Sequence, residues 1–186
     1  EAIACLRGAP SALRDLSLAL SAEALRLIGD QCGLDRATEA LDSGRAAEVF
    51  GRMVAAQGGP ADFMDRPEAY LTAAPVIRPV PAPHGFVERI DTTALGHAVI
   101  ALGGGRLRAG QPIDHRVGLS ALRRRGEASE GQLALVHAAT EAEAEAGITA
   151  VQRAYHLAPD APRPMPLIRA RARAEDGEAQ NFQQED

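Results

Sequence analysis

Apolar residues recur at helical spacing in the first third of the chain. Leu13, Leu16, Leu20 and Leu27, with alanines between them, predict a helix over 11–28, and Ser11 stands ahead of them as its N-cap. A short helical stretch follows from Asp35 to Leu41. Another runs from Gly44 to Gln57 with Ala47, Phe50 and Val54 on one side, and Gly58, Gly59 and Pro60 stop it. Ahead of all three, Glu1 to Gly8 reads as the end of an amphipathic helix closed by glycine. It has no capping residue and no initiator Met before it, so the expectation is a chain that begins further upstream.

The pattern then changes. Pro60, Pro67, Pro75, Pro79, Pro81 and Pro83 restrict 60–83 to extended and turn conformations, a connector holding one short strand at Val76 to Val80. Gly85 to Ile90 alternates as a strand does, and Asp91 to Leu102 reads as an Asp-capped helix ended by Gly103, Gly104 and Gly105. Strands are expected over 115–122 and 132–138, separated by a polar turn from Arg123 to Gly131. Glu141 to Leu157 predicts a helix with acidic residues in its first turn and Ile148, Val151, Ala154 and Tyr155 on one side. Pro159 to Pro166 terminates it, Leu167 to Ala172 is expected as an edge strand, and 173–186 as a disordered tail. The fold class is α+β: a helical unit over 1–59, the connector over 60–83 and a mixed strand and helix domain over 84–172.

Composition narrows the chemistry. Hydrophobic residues make up 46% of the 186 positions but aromatics only 3%, so the core is aliphatic and offers few stacking platforms for bases. A net charge of −5 with scattered basic residues gives no footprint for nucleic acid. All 20 basic residues are Arg. With no Lys, Schiff-base chemistry, a Walker-type phosphate lysine and a biotinyl or lipoyl attachment point are excluded within this chain. Cys5 and Cys32 are too few and too far apart for a disulfide framework or a zinc site and suit a reducing compartment. Neither a membrane span nor a signal-peptide pattern is present, and the expectation is a soluble, cytoplasmic protein.

The segment from Gly44 to Gly59, with its Gln57-Gly58-Gly59 corner, resembles a signature of the thymidine and pyrimidine-nucleoside phosphorylase family. So does the run from Gly85 through Asp91, Thr92 and Thr93 to Gly103-Gly104-Gly105-Arg106. Pro112-Ile113-Asp114-His115-Arg116-Val117-Gly118-Leu119 and Leu135-Val136-His137-Ala138 follow it in the order and spacing of that family's C-terminal module. Glu1-Ala2-Ile3 resembles the continuation of the family's Asn-Ala-Leu-Glu-Val stretch. The sequence departs from the family where a Gly-Asp-x-Val turn and a Gly-x-Pro-Leu are usual, and Arg125 to Leu133 stands instead.

The resemblance implies the helical remainder of a large α/β domain followed by a hammerhead-like C-terminal domain. It further implies a parent enzyme that splits thymidine reversibly with phosphate as co-substrate, in pyrimidine salvage, with no organic cofactor. The family's phosphate-binding Lys-His-Ser and its pyrimidine-binding residues lie in an N-terminal half with no counterpart here, so no catalytic or substrate-binding residue is expected in this chain and the chain alone is expected to be inactive. The parent's homodimer contact belongs to that same N-terminal part. In some family members the glutamate at the position of Glu1 is a ligand of an alkali-metal ion, which makes Glu1 the one metal-ligand candidate.

Gly103, Gly104, Gly105 and Arg106 have the composition of a phosphate cradle, yet they follow a helix rather than open one, and a helix C-cap is the plainer reading. In the family the loop from these glycines to Asp114 lies near the cleft between domains, which implies a closure loop. His84, His97, His115, His137 and His156 lack partners at ligand spacing and read as packing or surface residues, Asp91 as a helix cap and Arg123-Arg124-Arg125 as a solvated turn. The alternative to an enzyme portion is a non-catalytic hammerhead-like binding or assembly module.

Overall fold

The computed structural model describes residues 1–166 and 168. It begins with four helices, α1 (Ala2–Leu6), α2 (Ala12–Leu27), α3 (Gly33–Asp42) and α4 (Arg45–Ala56). Ser11 starts α2 as expected, its hydroxyl oxygen accepting the Arg14 N–H at 3.2 Å and so satisfying one of the free amides of the first turn. Arg14 also donates to the Asp42 carboxylate at 2.6 Å, tying α2 to the end of α3.

The connector carries one turn of 3-10 helix at Pro67–Ala69 and then β1 (Val76–Pro81). The rest alternates strand and helix: β2 (Phe86–Ile90), α5 (Thr92–Val99), β3 (Gly118–Ser120), β4 (Gln132–Ala138), α6 (Glu141–Ala154) and β5 (Tyr155–Ala158). The fold is α+β. One antiparallel sheet has the order β1-β4-β3, and β2 pairs with β5 in a second. β1 lies along β4 from Val76 opposite Ala138 to Val80 opposite Ala134, with a register shift before Pro81. Because β1 is an edge strand it tolerates Pro79 and Pro81, which a central strand would not.

Alternation along β4 places Ala134, Val136 and Ala138 toward α6, where they meet Ala144 and Val151. With Val80, Val87, Leu102 and Tyr155 these form the core. The helix α6 opens on a reciprocal cap. The Thr140 hydroxyl accepts the Glu143 N–H at 3.2 Å and donates to the Glu143 carboxylate at 3.0 Å. No helix among the described residues is long and apolar enough to cross a membrane.

Three expectations are corrected. The last helix stops at Ala154, and 155–158 leave it as β5, paired with β2 through Ile90 opposite Tyr155. Tyr155 continues the helical spacing of Val151 and Ala154. Strand pairing overrides that pattern, since it buries the ring and lets the phenol donate to the Arg123 carbonyl at 2.9 Å. The strand expected over 115–122 shortens to 118–120, because only Gly118, Leu119 and Ser120 find partners on β4. The helix expected to run from Asp91 to Leu102 is α-helical only to Val99, and the wider π turn that follows takes in Gly103 and Gly104. The edge strand expected over 167–172 and the tail over 173–186 lie outside the described residues, apart from position 168.

Candidate functional site

Asp91 starts α5 by accepting the Ala94 N–H at 2.9 Å, which fixes the direction in which the helix delivers its far end. That end is the triglycine. The backbone of Gly103 turns through φ +95°, a conformation that costs glycine nothing, and its carbonyl accepts the N–H of Asp114 at 3.0 Å. Residues 104–113 therefore leave and return at one point. A Cβ on Gly104 would lie 2.9 Å from Val99 Cγ1 and 3.4 Å from the Val117 carbonyl oxygen, and one on Gly105 2.6 Å from Ile100 Cγ1, so their bare α-carbons serve close packing at the helix end.

The excursion has internal structure. The Arg106 Nε donates to the Gln111 carbonyl at 3.0 Å, and the side-chain oxygen of Gln111 accepts the Leu107 N–H at 3.1 Å. Leu107 at the tip is 77% exposed. Where the chain returns, Asp114 accepts from the backbone N–H of Arg116 at 3.0 Å and from its Nε and Nη2 at 2.9 and 2.8 Å. Those charge-assisted bonds hold the Asp114 carboxyl down to about 2, so it is an anion throughout the physiological range.

A groove of about 600 Å³ opens beside this loop base. Leu102, Gly103, Pro112 and Ile113 supply its apolar wall, and Asp114, His115, Arg116 and Glu143 its polar rim. A second, smaller groove of about 450 Å³ lies between His84, Phe86, Ala128, Glu130 and Pro159.

The structure thus brings Gly103 and Asp114 together and places Arg106 out on the excursion. Arg116, Gln111 and Glu143 are the members that sequence reasoning missed. Only the Asp-x-Arg spacing of Asp114 and Arg116 gave a local signal for any of them. Glu1 lies apart from the loop, its carboxylate 3.7 Å from the Arg124 guanidinium, and among the described residues no three His, Cys, Asp or Glu side chains come together as a metal site. The Arg124 cation beside Glu1 opposes a second cation there.

The histidines are dispersed. The His137 Nε2 lies 2.6 Å from the Ser120 hydroxyl and the His156 Nε2 2.6 Å from the Arg89 guanidinium, while His115 and His84 line separate grooves. Of the arginine cluster, Arg123 pairs with Glu130 at 2.6 Å and Arg125 donates to the Arg163 carbonyl at 2.6 Å.

Residues 86–158 match the family model described as the pyrimidine nucleoside phosphorylase C-terminal domain. Over 155 residues the chain is 51% identical to a thymidine phosphorylase of Burkholderia cenocepacia (strain HI2424), an alignment covering 80% of this chain and 35% of that protein. A thymidine phosphorylase of Burkholderia orbicola (strain MC0-3) is 48% identical over 167 residues, covering 86% and 38%. One of Mesorhizobium japonicum is 49% identical over 157 residues, covering 81% and 36%. The chain spans little more than a third of the length of these relatives.

Proposed function

We propose, given that the chain belongs to the pyrimidine nucleoside phosphorylase family and corresponds to its C-terminal portion, that it forms part of an enzyme for the reversible phosphorolysis of thymidine. Identity of 51% over four-fifths of the chain to a thymidine phosphorylase carries this reading. In that reaction a phosphate oxygen bonds to C1′ of the nucleoside as the C1′–N bond breaks. The bonding pair leaves with the pyrimidine, and 2-deoxyribose 1-phosphate remains.

Two demands follow. Two substrates must be held in line, and positive charge developing on the sugar and negative charge on the departing base must each meet a preorganised partner. This chain contains no lysine. Its part is accordingly structural, with the charged groups contributed by the rest of the polypeptide.

Within this chain the excursion from Gly103 to Asp114 is the element suited to closing over a cleft. It pivots on a single backbone hydrogen bond, is internally braced by Gln111 and carries Arg106 near its tip. The parent acts in the cytoplasm, and its dimer contact lies outside this chain.

The test is thymine release from thymidine and phosphate, followed by absorbance. The 186-residue chain alone gives none. A chimera in which it replaces the corresponding part of the Burkholderia cenocepacia relative gives release that depends on phosphate. Turnover by the isolated chain, or an inactive but folded chimera, refutes the proposal.

A further inference from the structure

Helix α2 is apolar on two opposite sides and the structure covers only one of them. Gly33 of α3 approaches so closely that a Cβ there would lie 2.8 Å from the Ala22 carbonyl oxygen and 2.9 Å from the Leu25 Cβ, which marks the side bearing Ala22 and Leu25 as the one packed against α3. At 100° per residue Leu13, Leu16, Leu20 and Leu27 fall within an arc of about 60° on the far side. Their cover fails progressively along the helix. Leu13 and Leu16 are half-buried, Leu20 is 55% exposed and Leu27 83%.

No residue of this 16-residue helix is fully buried, and the far stripe carries no charge. The four charges of this helix, Arg14, Asp15, Glu23 and Arg26, lie between its two apolar sides, and a second apolar side of this kind calls for a further layer of structure against it. Scattered exposed leucines need no explanation, but Leu20 and Leu27, exposed on one uncharged stripe that continues from the half-buried Leu13 and Leu16, do.

We propose that this stripe is the docking surface for the part of the same polypeptide that precedes residue 1. The proposal rests on the reading of the chain as a C-terminal portion. Two observations favour this occupant over a second copy of the chain. Some three-fifths of each matched relative has no counterpart here, and a family model of a C-terminal domain places that remainder upstream. The upstream chain also enters beside the stripe's own layer, because Glu1 leads into α1 and α1 packs on α2 and α4.

Covering can be read at one atom. Leu27→Cys in a Cys32→Ser background is alkylated by a maleimide in the 186-residue chain about as fast as Glu145→Cys on the exposed side of α6. In the chimera with the Burkholderia cenocepacia relative, position 27 reacts about a hundredfold more slowly while position 145 keeps its rate, since labelling then needs local opening. Equal rates at position 27 in the two proteins overturn the proposal, and so does a chimera without a cooperative thermal transition. Sedimentation addresses the other occupant: a monomeric 186-residue chain supports the proposal, and a dimer dissolved by Leu20→Asp with Leu27→Asp overturns it. A protected thiol in a chimera that releases no thymine supports the surface while refuting the functional reading.

Discussion

Substituting Gly104 by alanine tests whether the triglycine is there for packing. The added Cβ would stand 2.9 Å from Val99 Cγ1, 3.2 Å from the Val99 carbonyl oxygen and 3.4 Å from that of Val117. Carbon atoms rest at about 3.5–4.0 Å, so the methyl overlaps Val99 by roughly 0.6 Å or more. Val99 is a β-branched residue at the end of a helix, with one strongly preferred rotamer, and the other two neighbours are backbone oxygens. The contact is relieved only by moving the helix end or the strand entry. Overpacking of this kind costs about 1–3 kcal/mol. For a chain of this size each kcal/mol lowers Tm by about 2–4 °C, giving a fall of roughly 2–12 °C by thermal denaturation.

Gly103 needs its glycine for another reason. An alanine there meets nothing within 4 Å but is held at φ +95°, a conformational cost of about 1–2 kcal/mol. The two origins separate in a double-mutant cycle with Val99→Ala. That change restores stability to Gly104→Ala by about 0.5 kcal/mol or more and leaves the effect of Gly103→Ala unaltered. If Gly104→Ala lies within about 0.5 kcal/mol of the parent chain, or if Val99→Ala relieves both variants equally, the packing account is wrong.

Gly147→Ala puts a methyl 3.0 Å from Val136 Cγ1 and 3.3 Å from Leu102 Cδ2, so its gain in helix propensity is lost in the parent chain. It reappears as about 1 kcal/mol in a Val136→Ala background, measured by urea denaturation, and additive effects would count against the contact. Tyr155→Phe removes the bond to the Arg123 carbonyl and costs about 1–2 kcal/mol. Burial, helped by the Glu127 charge, pushes the Tyr155 phenol up to about 12. Its folded form thus resists ionisation, and the stability it contributes is complete below about pH 10 and is lost as pH rises toward 12; a phenylalanine variant with the same alkaline profile would refute the assignment. Thr140→Ala breaks the reciprocal cap of α6 and costs about 1 kcal/mol, visible as faster amide exchange in the first turn of that helix alone. Unchanged exchange there would show the cap to be energetically idle.

Local chemistry was legible in the sequence wherever a few neighbouring residues decide the outcome. Ser11 and Asp91 start their helices as expected, and Gly58 and Gly59 stop α4. What escaped depends on distant partners. Nothing near Tyr155 distinguishes it from one more helical position, and only β2, some 65 residues earlier, turns it into a strand residue. The candidate loop was visible as a stretch of glycines and an aspartate. That it closes on one bond from the Asp114 amide to the Gly103 carbonyl, or that Arg116 rather than a ligand satisfies Asp114, follows from a chain path that no short-range pattern encodes.

The pairing of β1 with β4 redraws where this protein can be cut. Judged by prolines, 60–83 is a tether, and a truncation begun at Gly85 would look harmless. Such a truncation would strip β4 of its longest neighbour, remove the fully buried Val80 and leave Ala134 and Val136 beside an unpaired, hydrophobic strand edge, an invitation to aggregate. A protease nicking the chain between 60 and 75 would do no such harm, since β1 would stay with its sheet. The sheet built on β4 therefore begins with the strand that starts at Val76, and that first strand is carried in on what reads as a leash.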